Sequence, residues 1–297
     1  MSNEVHGPVN GYVVQARDIH GDVNVGVRMI VPSPVEVPRA FGAGAELVVG
    51  DRTYLVQGHL AEEWYSADGT TLHRRARCAV PGGHVWLRQG TAALARERDL
   101  LAAVRGAGFP EVVQYDAPSS TLVTTWPTAR SGKPCAGLDA VLGTQALDSY
   151  RLYRLCGGLA RLTTTLHGLH RHRVAHRGLS PDGLVELDDG GLVLRDLGLA
   201  AHPVARGEHP GHYQAPEQHM RGTGHVGPWT DVYQLAAVAH HVIAGRPVTE
   251  PAPPAAYARV PRRLADVVAA ALSTDPARRP DLRSFGAAVH AARSELT

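Results

Sequence analysis

From about residue 46 onward the chain carries short apolar runs with alternating polar positions, followed by longer runs that repeat every three to four residues. The period of two predicts strands at 54–58, 74–80, 84–87, 111–115 and 121–125. Within that stretch, 92–104 reads as a helix, because Leu94, Leu100, Leu101 and Val104 fall on one face. After residue 139 the pattern is mostly helical, with segments at 149–170, 230–243, 261–273 and 282–294. A strand-rich part holding one helix and then a helical part describe an α+β protein with two lobes, about 46–126 and about 127–297.

Residues 1–30 have a different texture. Val5-His6-Gly7-Pro8-Val9-Asn10 returns as Ile19-His20-Gly21-Asp22-Val23-Asn24. Valine runs punctuated by Gly and Asn suit stacked or hairpinned strands. Residues 31–45 contain Pro32, Pro34, Pro38, Gly42 and Gly44 and read as an extended linker.

Composition narrows the class. The 297 residues are 44% hydrophobic and 20% charged, as in a water-soluble globular protein. A formal net charge of +2 gives no electrostatic reason to expect nucleic acid or an acidic membrane as partner. No apolar stretch approaches the about 18 residues of a membrane span, and the polar start does not read as a secretion signal. Cys78, Cys135 and Cys156 are widely separated and odd in number, which fits a reducing cytoplasm and not a disulfide scaffold. Lys133 is the only lysine.

Several local motifs then occur in order: Glu97-Arg98-Asp99-Leu100-Leu101; Leu169-His170; His176-Arg177-Gly178-Leu179-Ser180-Pro181-Asp182-Gly183; Arg195-Asp196-Leu197-Gly198; Ala215-Pro216-Glu217; Asp231-Val232-Tyr233; and Asp275-Pro276-Ala277-Arg278-Arg279-Pro280. Together they resemble the protein-kinase superfamily over about 46–297. The resemblance implies a bilobal fold and an ion pair between Arg88 and Glu97. It also implies cofactor contacts at Arg88, Glu97, Thr125 and Asp196, with Asp196 as the ligand of Mg²⁺ beside ATP. Glu217 and Arg279 resemble that family's buried structural pair, Asp231 its brace beneath the catalytic loop, and His176 and Arg177 the start of that loop.

Phosphoryl transfer needs gripped phosphates, metal and a carboxylate that orients the attacking hydroxyl. Here the carboxylate position is Gly178, the accompanying lysine position is Ser180 and the second metal-ligand position is Gly183. Loss of a positioned base costs about 10²–10⁴ in rate. The stretch expected to form the glycine-rich phosphate loop, 58–65, keeps only Gly58, and Glu62 and Glu63 are expected to repel a triphosphate. Arg88 stands where a lysine is needed, and no lysine exists in that lobe. The expectation is a pseudokinase, a kinase-like domain acting as scaffold or sensor with ATP and Mg²⁺ bound or with no cofactor. An active, divergent serine/threonine phosphotransferase using Asp182 is the alternative.

Residues 199–212 contain no Ser or Thr, so Arg177 lacks a phosphorylatable partner there and Glu208 is the candidate in its place. His167, His170, His172 and His176 cluster near one helix end, a spacing that also admits metal. At the N-terminus, Val13, Val14, Gln15 and Ala16 resemble the core of amyloid-forming signalling motifs such as the RIP homotypic interaction motif and its bacterial counterparts. That resemblance implies assembly with proteins carrying a similar segment, through in-register stacking of short, weakly charged strands.

Overall fold

The computed structural model describes residues 41–66, 70–104, 106–142, 147–209, 211–219, 225–248, 257–258 and 260–296. The expected interaction segment at 1–30, including Val13 to Ala16, and the linker up to residue 40 lie outside the described residues.

The first lobe is one antiparallel sheet: β1 (Glu46–Val49), β2 (Arg52–Tyr65), β3 (Leu72–Val80), β4 (Gly83–Gln89), β5 (Val112–Asp116) and β6 (Thr121–Trp126). Their spatial order is β1-β2-β3-β4-β6-β5, which leaves β4 inside the sheet. Helix α1 (Ala93–Val104) connects β4 to β5 and buries Leu94, Glu97, Leu101 and Val104. That three-to-four residue spacing is the face expected from the sequence, with one carboxylate set among its apolar residues.

The longest departure from expectation is β2. The strand expected to end at Gly58 continues to Tyr65, interrupted by a register shift between Val56 and Ala61. From Ala61 to Tyr65 the stretch taken as a phosphate loop is therefore paired strand, with Glu62 opposite Arg75 and Glu63 opposite Arg74 across the ladder. Arg75 Nε donates to Glu62 at 2.7 Å and Arg74 Nε to Glu63 at 3.1 Å. Cross-strand pairs of opposite charge stabilise such a ladder by about 0.2–1 kcal/mol each. Glu62 and Glu63, expected to repel a triphosphate, each have an arginine opposite.

The second lobe begins with β7 (Ala136–Gly137) and α2 (Leu138–Val141), then α3 (Ser149–Arg171). It continues with the small hairpin β8 (Leu184–Glu186) and β9 (Leu192–Leu194), then α4 (Pro228–Ala244), α5 (Arg262–Ala271) and α6 (Leu282–Ser294). Asp148 caps α3 by accepting from Arg151 N at 2.7 Å, and Asp281 caps α6 by accepting from Ser284 N at 2.7 Å. Such caps contribute about 1 kcal/mol each. Leu152, Leu155, Leu159, Leu162, Leu166 and Leu169 give α3 a continuous buried stripe. It packs with Leu192 and Leu194 of β9 and Phe285 and Val289 of α6 in the main core. Fully burying one such side chain contributes about 1.5–3 kcal/mol.

A separate apolar cluster sits at the junction of the lobes. Trp86 of β4 and Trp126 of β6 meet Cys135 and Val185, with Leu60, Leu187 and Val193 packed around them. A β-rich first lobe and a helical second lobe joined in this way have the architecture of protein kinases.

Candidate active-site cleft

Strand β4 carries Arg88 to the cleft, and α1 brings Glu97 opposite it. Their contact is bidentate, with nitrogen–oxygen distances of 2.8 and 2.7 Å. Glu97 also accepts from Leu197 N at 2.8 Å, which ties α1 to the Asp196-Leu197-Gly198 turn. Arg88 meets Glu97 through both terminal nitrogens, which sets its planar fork in one orientation, unlike the compact ammonium of a lysine.

The turn itself is explained by Gly198. Its φ is +55°, and a Cβ there would stand 2.4 Å from His176 Cε1, so only glycine fits. His176 Nε2 in turn lies 3.1 Å from the Asp196 carbonyl oxygen. Asp196 is buried, with one carboxylate oxygen accepting from Arg195 Nε at 2.9 Å and the other from Gly198 N at 2.9 Å. Burial by itself raises the pKa of this carboxyl, but the cations of Arg195 and Arg88 outweigh it and hold the group well below the usual carboxylate range.

Gly178 contrasts with Gly198. A Cβ at Gly178 would meet Gly198 Cα at 3.4 Å and Leu199 N at 3.5 Å, which are ordinary contacts. At Gly183 the nearest atoms would be 3.8 Å away. Neither position has a positive φ. The fold thus accommodates a Cβ at both places, and neither glycine is required by its backbone conformation.

Beneath the loop, Asp231 of α4 accepts from His176 N at 2.8 Å, from Arg177 N at 2.7 Å and pairs with His170 Nε2 at 2.7 Å. Gln234, one turn further along α4, accepts from Leu179 N at 2.9 Å and donates to the Arg177 carbonyl at 3.0 Å. Gln218 donates to that same carbonyl at 2.8 Å. Glu217 and Arg279 form a buried bidentate pair at 2.7 and 2.9 Å, extended by Thr230 Oγ1 at 2.8 Å. Arg177 donates to Glu208 at 2.6 Å and to the His202 carbonyl at 2.6 Å. Sequence reasoning missed Gln218 and Gln234, since a buried glutamine has no motif of its own.

A cavity of about 420 Å³ opens between the lobes. Arg88, Gly178, Asp182, Gly183, Arg195 and Asp196 are among the residues that line it. Asp182, the expected substitute base, is half exposed; Ser180 Oγ donates to it, and Arg195 lies 3.8 Å away. Arg195 was not singled out from the sequence. Its guanidinium stands beside both cavity carboxylates and stacks on Trp86 at 4.7 Å from the ring centre. A guanidinium desolvated over an aromatic face contributes about 2 kcal/mol.

Thr125 does not line the cavity. Its hydroxyl accepts from Glu111 N at 2.9 Å, because the strand's alternation turns it toward the start of β5 while Thr124 and Trp126 are buried. Two of the clustered histidines serve the loop, the His170 ring and the His176 backbone N–H both meeting Asp231, and no group of three metal-ligating side chains occurs among the described residues.

No protein-family model matches the chain. Over 126 residues, 38% of its length, it is 36% identical to a probable LRR receptor-like serine/threonine-protein kinase, At1g56140 of Arabidopsis thaliana. Over 107 residues it is 40% identical to the DNA damage-responsive serine/threonine-protein kinase RqkA of Deinococcus radiodurans. These matches span 12% and 16% of the respective relatives. The bilobal architecture and these similarities agree on a protein-kinase-like fold.

Proposed function

We propose that this kinase-like domain does not transfer phosphoryl groups and works as a signalling scaffold, assembled through its N-terminal segment with proteins that carry a similar one. The observation that carries the reading is Gly178: where the resemblance expects the orienting carboxylate there is no side chain, although a Cβ would meet only ordinary contacts. Three further features support it. Gly183 supplies no second metal ligand. Asp196 is paired with the Arg195 guanidinium at 2.9 Å, a fixed cation with which Mg²⁺ would have to compete. Meanwhile Asp231, Glu217, Arg279 and the Arg177–Glu208 pair hold the loop and the segment after it in a fixed arrangement. A domain that keeps its braces and lacks its reacting groups is suited to presenting a surface.

Labelled ATP with Mg²⁺ and a panel of protein acceptors tests the reading, run on the full chain and on Asp196→Ala. The expected result is no transfer by either. Robust transfer by the wild type that Asp196→Ala abolishes would refute the proposal and establish the divergent phosphotransferase, for which Asp182 at the cavity wall is the available carboxylate. The assembly part is tested with residues 1–30 on a carrier: fibrils that bind thioflavin and are impaired by Gln15→Pro are expected, and persistently monomeric material at high concentration removes it.

A further inference from the structure

Strand β4 points alternate side chains to opposite faces. Val85 and Leu87 enter the sheet's own core, whereas Trp86 enters the cluster at the lobe junction. Trp86 therefore shares a face with Arg88, two residues on, and lies at the cleft on the side nearer the chain crossing between lobes.

Its surroundings leave it no freedom. Trp86 is 1% exposed and lies 5.6 Å from the Trp126 ring, with Val185 of the second lobe in the same cluster. On its cleft side, the Arg195 guanidinium sits 4.7 Å from the ring centre. Arg77 stacks on Trp126 at 5.5 Å, so two aromatic rings stand between two guanidinium groups. The open cavity stops short of this stack: Arg195 lines it, but Trp86, Trp126 and residues 127–135 do not.

Consider a nucleotide whose phosphates reach Arg88 and Asp196. In one direction its remainder runs toward Gly178 and His209, the side from which an acceptor would approach. In the other it meets the Trp86 side of Arg88, where Val185 of β8 and Cys135 after β6 join the indole in one cluster. A purine base needs a flat slot there, and an indole already fills it, packed against both lobes.

We infer that Trp86, stacked between Trp126 and Arg195, occupies the base end of the cleft, so that the domain excludes purine nucleotides by filling their site with its own side chain. The guanidinium of Arg195 stands beside Asp196 where a nucleotide's metal ion would approach. This inference does not depend on Gly178: the missing carboxylate concerns transfer, and the indole concerns entry.

The test is calorimetry and thermal shift on the full chain with ATP and with ADP, each with Mg²⁺, comparing wild type and Trp86→Ala. Wild type is expected to show no saturable binding, and Trp86→Ala at least about a ten-fold gain in affinity. Trp86→Leu keeps more of the apolar packing and serves as the same test if Trp86→Ala does not fold. Saturable ATP binding by the wild type, competed by adenosine, would overturn the inference. So would a folded Trp86 variant that gains nothing. Wild-type binding without transfer would sink this inference and leave the proposed function standing, while transfer by the wild type would sink both.

Discussion

Replacing Glu208 with alanine probes how the segment after the Asp196 turn is held. The Glu208 carboxylate accepts from Arg177 at 2.6 Å, from Ala205 N at 3.1 Å and from Gln218 Nε2 at 3.2 Å. Both partners of the ion pair are only 5% exposed in their side chains, so solvent does little to screen the contact. Removing the carboxylate leaves the Arg177 charge buried with carbonyl partners only, at Leu199 and His202, and deprives two further donors of their acceptor. Breaking a buried pair from one side costs about 3–5 kcal/mol. If the segment melts with the whole domain, that corresponds to a fall in Tm of roughly 6–20 °C. If it opens by itself, its opening equilibrium rises by about 10²–10⁴ and the global midpoint moves less. Hydrogen exchange distinguishes the outcomes: amides in 199–219 should lose protection in Glu208→Ala, with those of α3 and α6 following only in the global case. A double variant, Arg177→Met with Glu208→Leu, should recover much of the loss, because no charge is then stranded. Unchanged protection of 199–219 and an unchanged Tm in Glu208→Ala would refute the reasoning that this carboxylate substitutes for a phosphate as the anchor of Arg177.

Two further outcomes follow from the cleft and its surroundings. Gly178→Asp combined with Gly183→Asn should fold with a Tm close to wild type, since both added side chains start from ordinary contacts; a midpoint lowered by more than about 6 °C, equivalent to roughly 2–3 kcal/mol, would show that these glycines are structural after all. Stability should also decline as pH falls below the ordinary histidine value of 6.5: burial lowers the pKa of His202, His209 and His240, so the unfolded chain takes up protons first. Their contribution is complete above the unfolded value and is lost progressively below it. Thermal melts at about pH 8 and about pH 5 check this, and an equal or higher midpoint at the acid end would contradict it.

Much of this was legible in the chain itself. Local periodicity placed α1 and the long helices within a few residues, because an amphipathic face is written in the spacing of Leu94, Leu101 and Val104 or of the α3 leucines. Motifs marked Asp196, Asp231, Glu217 and Arg279, since each stands next to residues that need a particular backbone form. The length of β2 was less legible: Gly58 reads as a stop, yet the strand runs on because β3 offers Arg74 and Arg75 opposite Glu63 and Glu62. The surroundings of Thr125 were no more legible, as strand alternation gives two faces and only the packed neighbours say what each one meets.

What the amino-acid order determined by itself is the absence of chemistry at Gly178 and Gly183, because a side chain that is not encoded cannot be supplied by folding. Tertiary structure alone decided which groups stand in the cleft instead. Arg195, Trp86, Trp126 and Val185 are scattered along the chain, and their stacking is a long-range contact between two lobes. No local pattern encodes such a contact, since it depends on where one lobe sets its strand faces against the other.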